Sequence, residues 1–268
     1  VTFLMGPSLL FCPADRPERY AKAAERADAV IIDLEDAVAP ADKVTAREAM
    51  IDTPLDPERT VVRVNPVDTN DFDRDLKALT RTDYGTVMLA KTESVQHMRQ
   101  LPAYDVLALC ETAAGVVHAA DIAAEPNAVA LMWGAEDLVA SLGGTGSRHD
   151  DGRYRSVASH ARSSVLLAAG AYGKAAIDAV YINIGDLDGL AAEAQDAVAS
   201  GFAATACIHP SQVPVIREAF LPTEDEVAYA REVLEAAKTE GGVFEFRGRM
   251  VDGPLLRHAE QTLRRAAG

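Results

Sequence analysis

One feature constrains this chain more than any other: short apolar runs alternate with stretches of helical pattern along most of its length. The runs span 8–11, 29–32, 60–66, 86–91, 106–109, 128–134, 179–184 and 204–208. An apolar run without polar interruption reads as a strand buried on both faces, as in a parallel sheet. Each parallel crossover needs a connecting helix, and helical patterns follow most of the runs. Eight such units in 268 residues predict a closed (β/α)8 TIM barrel. No GxGxxG follows the first run, which weighs against an open dinucleotide-binding sheet. The barrel is expected over 1–220. Beyond it come a helix over 224–237, the break Gly241-Gly242, the hairpin-like or extended FEFRGRMVD, and a helix over 254–266. This part, 221–268, predicts a C-terminal helical and extended appendage.

In such a barrel all strand ends share one face, where ligands bind. The polar residues at the expected exits are Glu35 and Asp36, Arg63 and Asn65, Lys91, Glu111, and Glu136 with Asp137. Five carboxylates around one arginine and one lysine repel each other unless something positive sits among them. A hard divalent cation such as Mg²⁺ is the simplest answer, because it needs only one or two carboxylates plus water and substrate. No histidine or cysteine pair stands at zinc spacing, and His209, alone before Pro210, reads as structural. Glu111 by itself reads equally well as a helix cap, with Thr112 opening a helix that runs to Ile122. Arg63 suits a substrate carboxylate or a developing enolate oxygen, or else a surface pairing with Asp36. Lys91 has acidic neighbours that keep it charged, which favours an electrostatic or structural role over a Schiff base. The loop GGTGSRHDDG, 143–152, lacks the GK[ST] of a phosphate-cradling loop and reads as either a cover over the site or a solvent loop.

A net charge of −15 argues against nucleic acid or an anionic membrane as partner, but not against a small anion held by local cations. There is no run of 18 apolar residues and no leader-like segment. Cys12, Cys110 and Cys207 are odd in number, far apart and set in apolar runs, which predicts small core residues in a reducing cytoplasm.

IIDLEDAVAP, VVRVNP, LCETAAG and MWGAEDL, in this order, with the tail VDGPLLRHAEQTL, resemble the citrate lyase β-subunit-like (CitE-like) branch of the HpcH/HpaI aldolase family. The resemblance covers nearly the whole chain. It implies a (β/α)8 barrel that assembles as a trimer or hexamer, binds Mg²⁺ and acts on acyl-CoA or acyl-carrier thioesters. Motif by motif, it implies that Glu111 and Asp137 hold the Mg²⁺ and that Arg63 binds the keto acid portion. Glu35 and Asp36 would order metal waters and Arg63, while Gly134, Ala135 and Glu136 would offer backbone amides to the keto acid carboxylate. Asp252, from the tail of a neighbouring subunit, would be the acid/base at the thioester α-carbon. Three positions depart from the family pattern: Pro7 stands for an arginine, Ala14 for a glycine, and Ala204-Thr205 for a glycine-lysine pair. All three lie near the expected CoA nucleotide, leaving Lys43 and Arg47 as candidate phosphate cations.

The implied reaction is retro-Claisen cleavage of a 3-hydroxyacyl thioester such as malyl-, citramalyl-, citryl- or hydroxymethylglutaryl-CoA. Two rivals stand beside it. One is a CoA-independent, metal-dependent aldolase on hydroxy-keto acids, and the other a β-subunit of a multi-subunit citrate lyase.

Overall fold

The computed structural model describes residues 5–267. By its contacts the chain divides into two compact units, 1–216 and 217–268.

The first unit is a barrel of eight parallel strands in sequence order, closed by pairing of the first with the last. The strands are β1 (Ser8–Pro13), β2 (Ala29–Asp33), β3 (Thr60–Val64), β4 (Thr86–Leu89), β5 (Asp105–Cys110), β6 (Ala128–Trp133), β7 (Ala175–Asp178) and β8 (Ala204–Cys207). Around them run α1 (Tyr20–Arg26), α2 (Lys43–Asp52), α3 (Asn70–Leu79), α4 (Val95–Met98), α5 (Ala113–Val117), α6 (Ala119–Ala124), α7 (Ala135–Ser141), α8 (Ser156–Ala171) and α9 (Leu187–Ser200), followed by α10 (Gln212–Phe220). No helix is long and apolar enough to cross a membrane among the described residues.

Strand side chains alternate in direction, so every second residue faces the barrel axis. The inward set includes Leu9, Ile31, Val61, Met88, Leu107, Leu109, Met132, Ile177 and Ala206, all buried. Continuing the same parity past this packed layer brings Phe11, Asp33, Arg63, Glu111, Gly134 and Ile208 to the carboxyl-end mouth. The outward set packs under the helices. There Trp133 is fully buried, and its indole N–H donates to Asp178 Oδ1 at 2.6 Å. The three cysteines are buried, and none is in a disulfide. Burial pushes the Cys110 thiol up to about 12 and that of Cys12 to about 11, so neither is a nucleophile at neutral pH.

Two local expectations are corrected. The seventh strand is Ala175–Asp178, ahead of the expected 179–184. The richer apolar run YINI lies past the strand end, where Ile182 and Ile184 are exposed, while Asp178 is tied down by Trp133 and Arg162. The helix after Thr112 breaks at His118 into α5 and α6, although Thr112 does cap it by accepting from the Gly115 amide.

The second unit contains α11 (Glu224–Ala236), an antiparallel hairpin of β9 (Phe244–Phe246) and β10 (Arg249–Val251), and α12 (Gly253–Ala266). Its own core is Ala230, Val233, Val251 and Ala259. Thr223 and Glu226 form a reciprocal capping box on α11. The hairpin turns through Arg247 and Gly248, both at positive φ, as a two-residue turn between right-twisted strands requires.

Candidate active site

Register brings the first pair together. Asp33 ends β2 directly opposite Arg63 on β3. Arg63 Nε and Nη2 donate to the two Asp33 oxygens at 2.7 and 2.6 Å, and Nη1 lies 3.1 Å from Glu35 Oε2. The guanidinium also lies over the Phe11 ring, 4.9 Å from its centroid. Asp33 in turn accepts from the Glu35 and Ala37 amides, which fixes the turn that carries Glu35 and Asp36. The surface pairing of Arg63 with Asp36 is therefore not formed; its partners are the buried Asp33 and Glu35. Nε and Nη2 are committed to Asp33 and Nη1 to Glu35, so a ligand at Arg63 has to share or displace the Glu35 contact.

The second group forms across β4, β5 and β6. Glu111 follows β5, whose last residue, Cys110, pairs with Trp133 at the end of β6. A Cβ on Gly134 would lie 2.9 Å from Glu111 Cβ and 3.0 Å from its Oε2, so only glycine allows Glu111 this close approach. Burial, then repulsion from Asp137, pushes the Glu111 carboxyl up to about 8 against the pull of Arg63 and Lys91. Lys91 sits at φ +48°, and its amide donates to Glu111 Oε1 at 3.1 Å. Its ammonium bonds Glu35 and lies 3.3 Å from Asp36 and 3.7 Å from Asp137. Burial opposes charge on Asp36, but Lys91 beside it and the Glu35 contact hold its carboxyl below the usual range.

These residues line a cavity of about 320 Å³. Asp33, Asp36, Arg63, Glu111, Asp137 and the Gly134–Glu136 turn are on its walls, with Phe11, Val180, Ile182 and Ile208 completing the rim. Glu111 and Asp137 suit a hard divalent cation, since they are oxygen donors whose mutual repulsion a cation would relieve. Among the described residues no group of three or more His, Cys, Asp or Glu side chains is placed to hold a metal. A cation here would take two protein carboxylates and complete its shell from water and substrate, as Mg²⁺ does.

Two expected cations are corrected. Arg47 is buried, with Nε on Asp75 and Nη2 on Asp71, each at 2.6 Å. Lys43 spends its three donors on Leu34 O, Glu35 O and Asn65 Oδ1. Both hold loops in place and neither is free for a phosphate. A basic groove that sequence reasoning missed lies elsewhere. Arg19, Lys22 and Arg26, spaced along one helical face, line a groove of about 440 Å³ with Phe11, Ile208 and His209. It shares Phe11 and Ile208 with the mouth cavity. His209 itself bonds Ser211 and gives its amide to Gln212, a local turn role.

The 143–152 loop is pinned. Ser147 is buried and donates to Glu136, and Arg148 pairs with Glu193 while stacking on Tyr154 at 3.7 Å. A larger groove, about 610 Å³, lies on α5 to α8, but its lining is almost wholly apolar and supplies no reacting group. In the second unit Asp252 caps α12, accepting from the Leu255 amide at 3.4 Å.

The HpcH/HpaI aldolase/citrate lyase family matches residues 7–210. The chain belongs to that family. Within it, this HpcH/HpaI-family protein falls in the citrate lyase β-subunit-like branch and is a lyase. A citrate lyase subunit beta-like protein of Mycobacterium tuberculosis is 59% identical over 261 residues, spanning 97% of this chain and 96% of that one. A crystal structure of CitE from M. tuberculosis in complex with magnesium, acetoacetate and coenzyme A matches with a TM-score of 0.95 at 58% identity, covering 98% of this chain and 99% of that chain. The mitochondrial citramalyl-CoA lyase of Homo sapiens is 30% identical over 291 residues, spanning 96% of this chain and 84% of that one.

Proposed function

We propose that this protein is a Mg²⁺-dependent carbon–carbon lyase acting on a 3-hydroxyacyl-CoA thioester with a distal carboxylate. Malyl-, citramalyl-, citryl- and hydroxymethylglutaryl-CoA fit that description, and the products are acetyl- or acyl-CoA and a keto acid. One observation carries the reading. The mouth cavity, with its paired carboxylates and Arg63, adjoins through Phe11 and Ile208 a groove bearing three cations. A substrate with a small acid at one end and nucleotide phosphates at the other matches that layout. The bound ligands of the M. tuberculosis CitE structure, magnesium, acetoacetate and coenzyme A, have the same two-ended chemistry. A free hydroxy-keto acid would leave the basic groove without a ligand.

A magnesium ion held by Glu111 and Asp137 would polarise the hydroxyl oxygen that becomes the ketone. Arg63, oriented by Asp33, binds the keto acid end through Nη1, which exchanges its Glu35 contact for the ligand, and stabilises negative charge as it develops. The amides of Gly134, Ala135 and Glu136, which line the cavity, orient the distal carboxylate. Glu35 and Asp36 hold the waters of the site and, with Lys91, balance its charge. The hydroxyl proton leaves to a water held by Glu35 and Asp36, cleavage leaves the electron pair on the thioester α-carbon, and Asp252 of a neighbouring subunit, in its protonated form, gives that carbon a proton. The protein works in the cytoplasm as a homotrimer or a larger assembly of that unit.

Purified protein with Mg²⁺, offered the four CoA esters, should cleave at least one to a keto acid, followed by release of acyl-CoA. Cleavage of free hydroxy-keto acids alone would favour the aldolase reading. Activity that appears only with co-purified subunits would favour a multi-subunit citrate lyase.

A further inference from the structure

One residue touches four carboxylates at the barrel mouth. Lys91 gives its amide to Glu111 and its ammonium to Glu35, Asp36 and Asp137. Glu35 and Asp36 follow β2, Glu111 follows β5 and Asp137 sits in the first turn of α7 after β6, so a single residue after β4 links both sides of the mouth. It does so from a left-handed backbone, φ +48°, which lysine adopts only at a cost. A side chain in that position is not a solvated lysine that happens to lie near acids; the strain turns the amide toward Glu111 while the side chain reaches the others.

We propose that Lys91 is the resident counter-cation of the metal site: it holds these carboxylates together before the metal arrives, and competes with the divalent cation for Asp137. The inference rests on the reading of Glu111 and Asp137 as metal carboxylates. Lys91 is a positioning residue in this scheme. Its ammonium neutralises Glu35 and Asp36 on one side and Asp137 on the other, where its 3.7 Å contact is the longest of the three. Asp137 is therefore the carboxylate the lysine releases most easily. Once a divalent cation takes Asp137, the lysine keeps Glu35 and Asp36, and the charge in the mouth stays balanced. The half-exposed side chain leaves solvent a route for that exchange.

The direction of the effect separates this role from plain structural support. A lysine that only supports the loops would weaken metal binding when removed. A competing cation would strengthen it. Mg²⁺ titrations by calorimetry on the purified full-length protein, in low salt, decide between the two. Wild type must first bind Mg²⁺; if it does not, the metal reading fails before Lys91 is tested. Lys91→Met removes the charge and keeps the bulk. Lys91→Gly also removes the charge, relieves the left-handed backbone and keeps the amide for Glu111. Both should bind Mg²⁺ about threefold tighter or more, the gain from losing one nearby like charge in a partly screened site. The gain should shrink in high salt. Lys91→Arg should stay within about twofold of wild type, because it keeps the charge. In the absence of Mg²⁺ both charge-free variants should melt earlier than wild type, and Mg²⁺ should raise their melting temperature by more. Should Met fail to fold, Gly alone decides. Unchanged or weaker Mg²⁺ binding in the charge-free variants would overturn the proposal.

Discussion

Asp33 and Arg63 face each other in register across β2 and β3, and one edge of the guanidinium holds both oxygens of a carboxylate that is only 1% exposed. This pair fixes the direction of the arginine before any ligand arrives. Asp33→Asn keeps the shape but removes the charge that orients Arg63. Breaking one side of a buried pair costs about 3 kcal/mol of stability, since Glu35 remains to hold the arginine. Chemical denaturation should show that loss. Arg63→Lys keeps the charge and loses the planar fork, so affinity for a keto acid product should fall by at least about 1.5 kcal/mol. Product affinity equal to wild type would return Arg63 to a structural role.

Metal affinity should depend on pH with a definite sign. The Glu111 carboxyl is raised from 4.5 to about 8, so the folded protein holds a proton there that the unfolded chain has lost. This group therefore lowers the stability of the metal-free protein as pH climbs between those two values. A cation binds the deprotonated form. Apparent Mg²⁺ affinity should rise by up to about tenfold per pH unit below the raised value, and level off above it. Calorimetry in two buffers of different ionisation heat should detect one proton released per Mg²⁺ at pH 7. No proton release, with affinity flat from pH 6 to 9, would remove Glu111 from the ligand set.

The basic groove makes a separate claim about the far end of the substrate. Lys22→Glu combined with Arg26→Glu reverses two exposed charges that have no ion pair among the described residues. KM for a CoA thioester should increase at least about tenfold, the loss of one charged phosphate contact. A thioester of pantetheine, which lacks the nucleotide, should be turned over as by wild type. Equal loss on both substrates would mean that the groove supports the fold and does not read the nucleotide.

How much of this was legible in the sequence differs by element. The barrel was legible because β2, β5 and β6 carry the uninterrupted apolar runs AVII, VLALC and AVALMW. The β7 strand was not, because AAID is short and ends in a charge, whereas the run AVYINI that follows carries none, although its Ile182 and Ile184 are exposed. Glu111, Asp137 and Arg63 stand out as charges at strand ends. Asp33 was hidden by reading the whole acidic cluster as one group; its parity with Ile31 places it inside the barrel mouth, and that signal was available. Lys43 and Arg47 misled because a helix face of cations looks the same whether it meets solvent or buried carboxylates. Asp75, 28 positions from Arg47, gives no local sign of the pairing. The left-handed backbone of Lys91 is likewise set by three-dimensional contacts and has no sequence mark.

The last prediction is that the active site is completed between subunits through Asp252. In its own unit this carboxylate caps α12, through a long bond of 3.4 Å to the Leu255 amide. Asparagine caps as well as aspartate, so Asp252→Asn should leave the melting temperature nearly unchanged. It cannot carry the proton, so turnover should fall by at least about a hundredfold if Asp252 is the acid/base. Mg²⁺ and keto acid should still bind that variant. Glu111→Ala should be inactive for the opposite reason, with its tail intact and its metal site broken. If the tail of one subunit serves the barrel of another, mixing the two inactive proteins should restore part of the activity, because mixed oligomers contain sites with both groups intact. Mass spectrometry of the mixture verifies that subunits have exchanged. Two parents that stay inactive after verified exchange would refute the shared site and leave Asp252 as a helix cap.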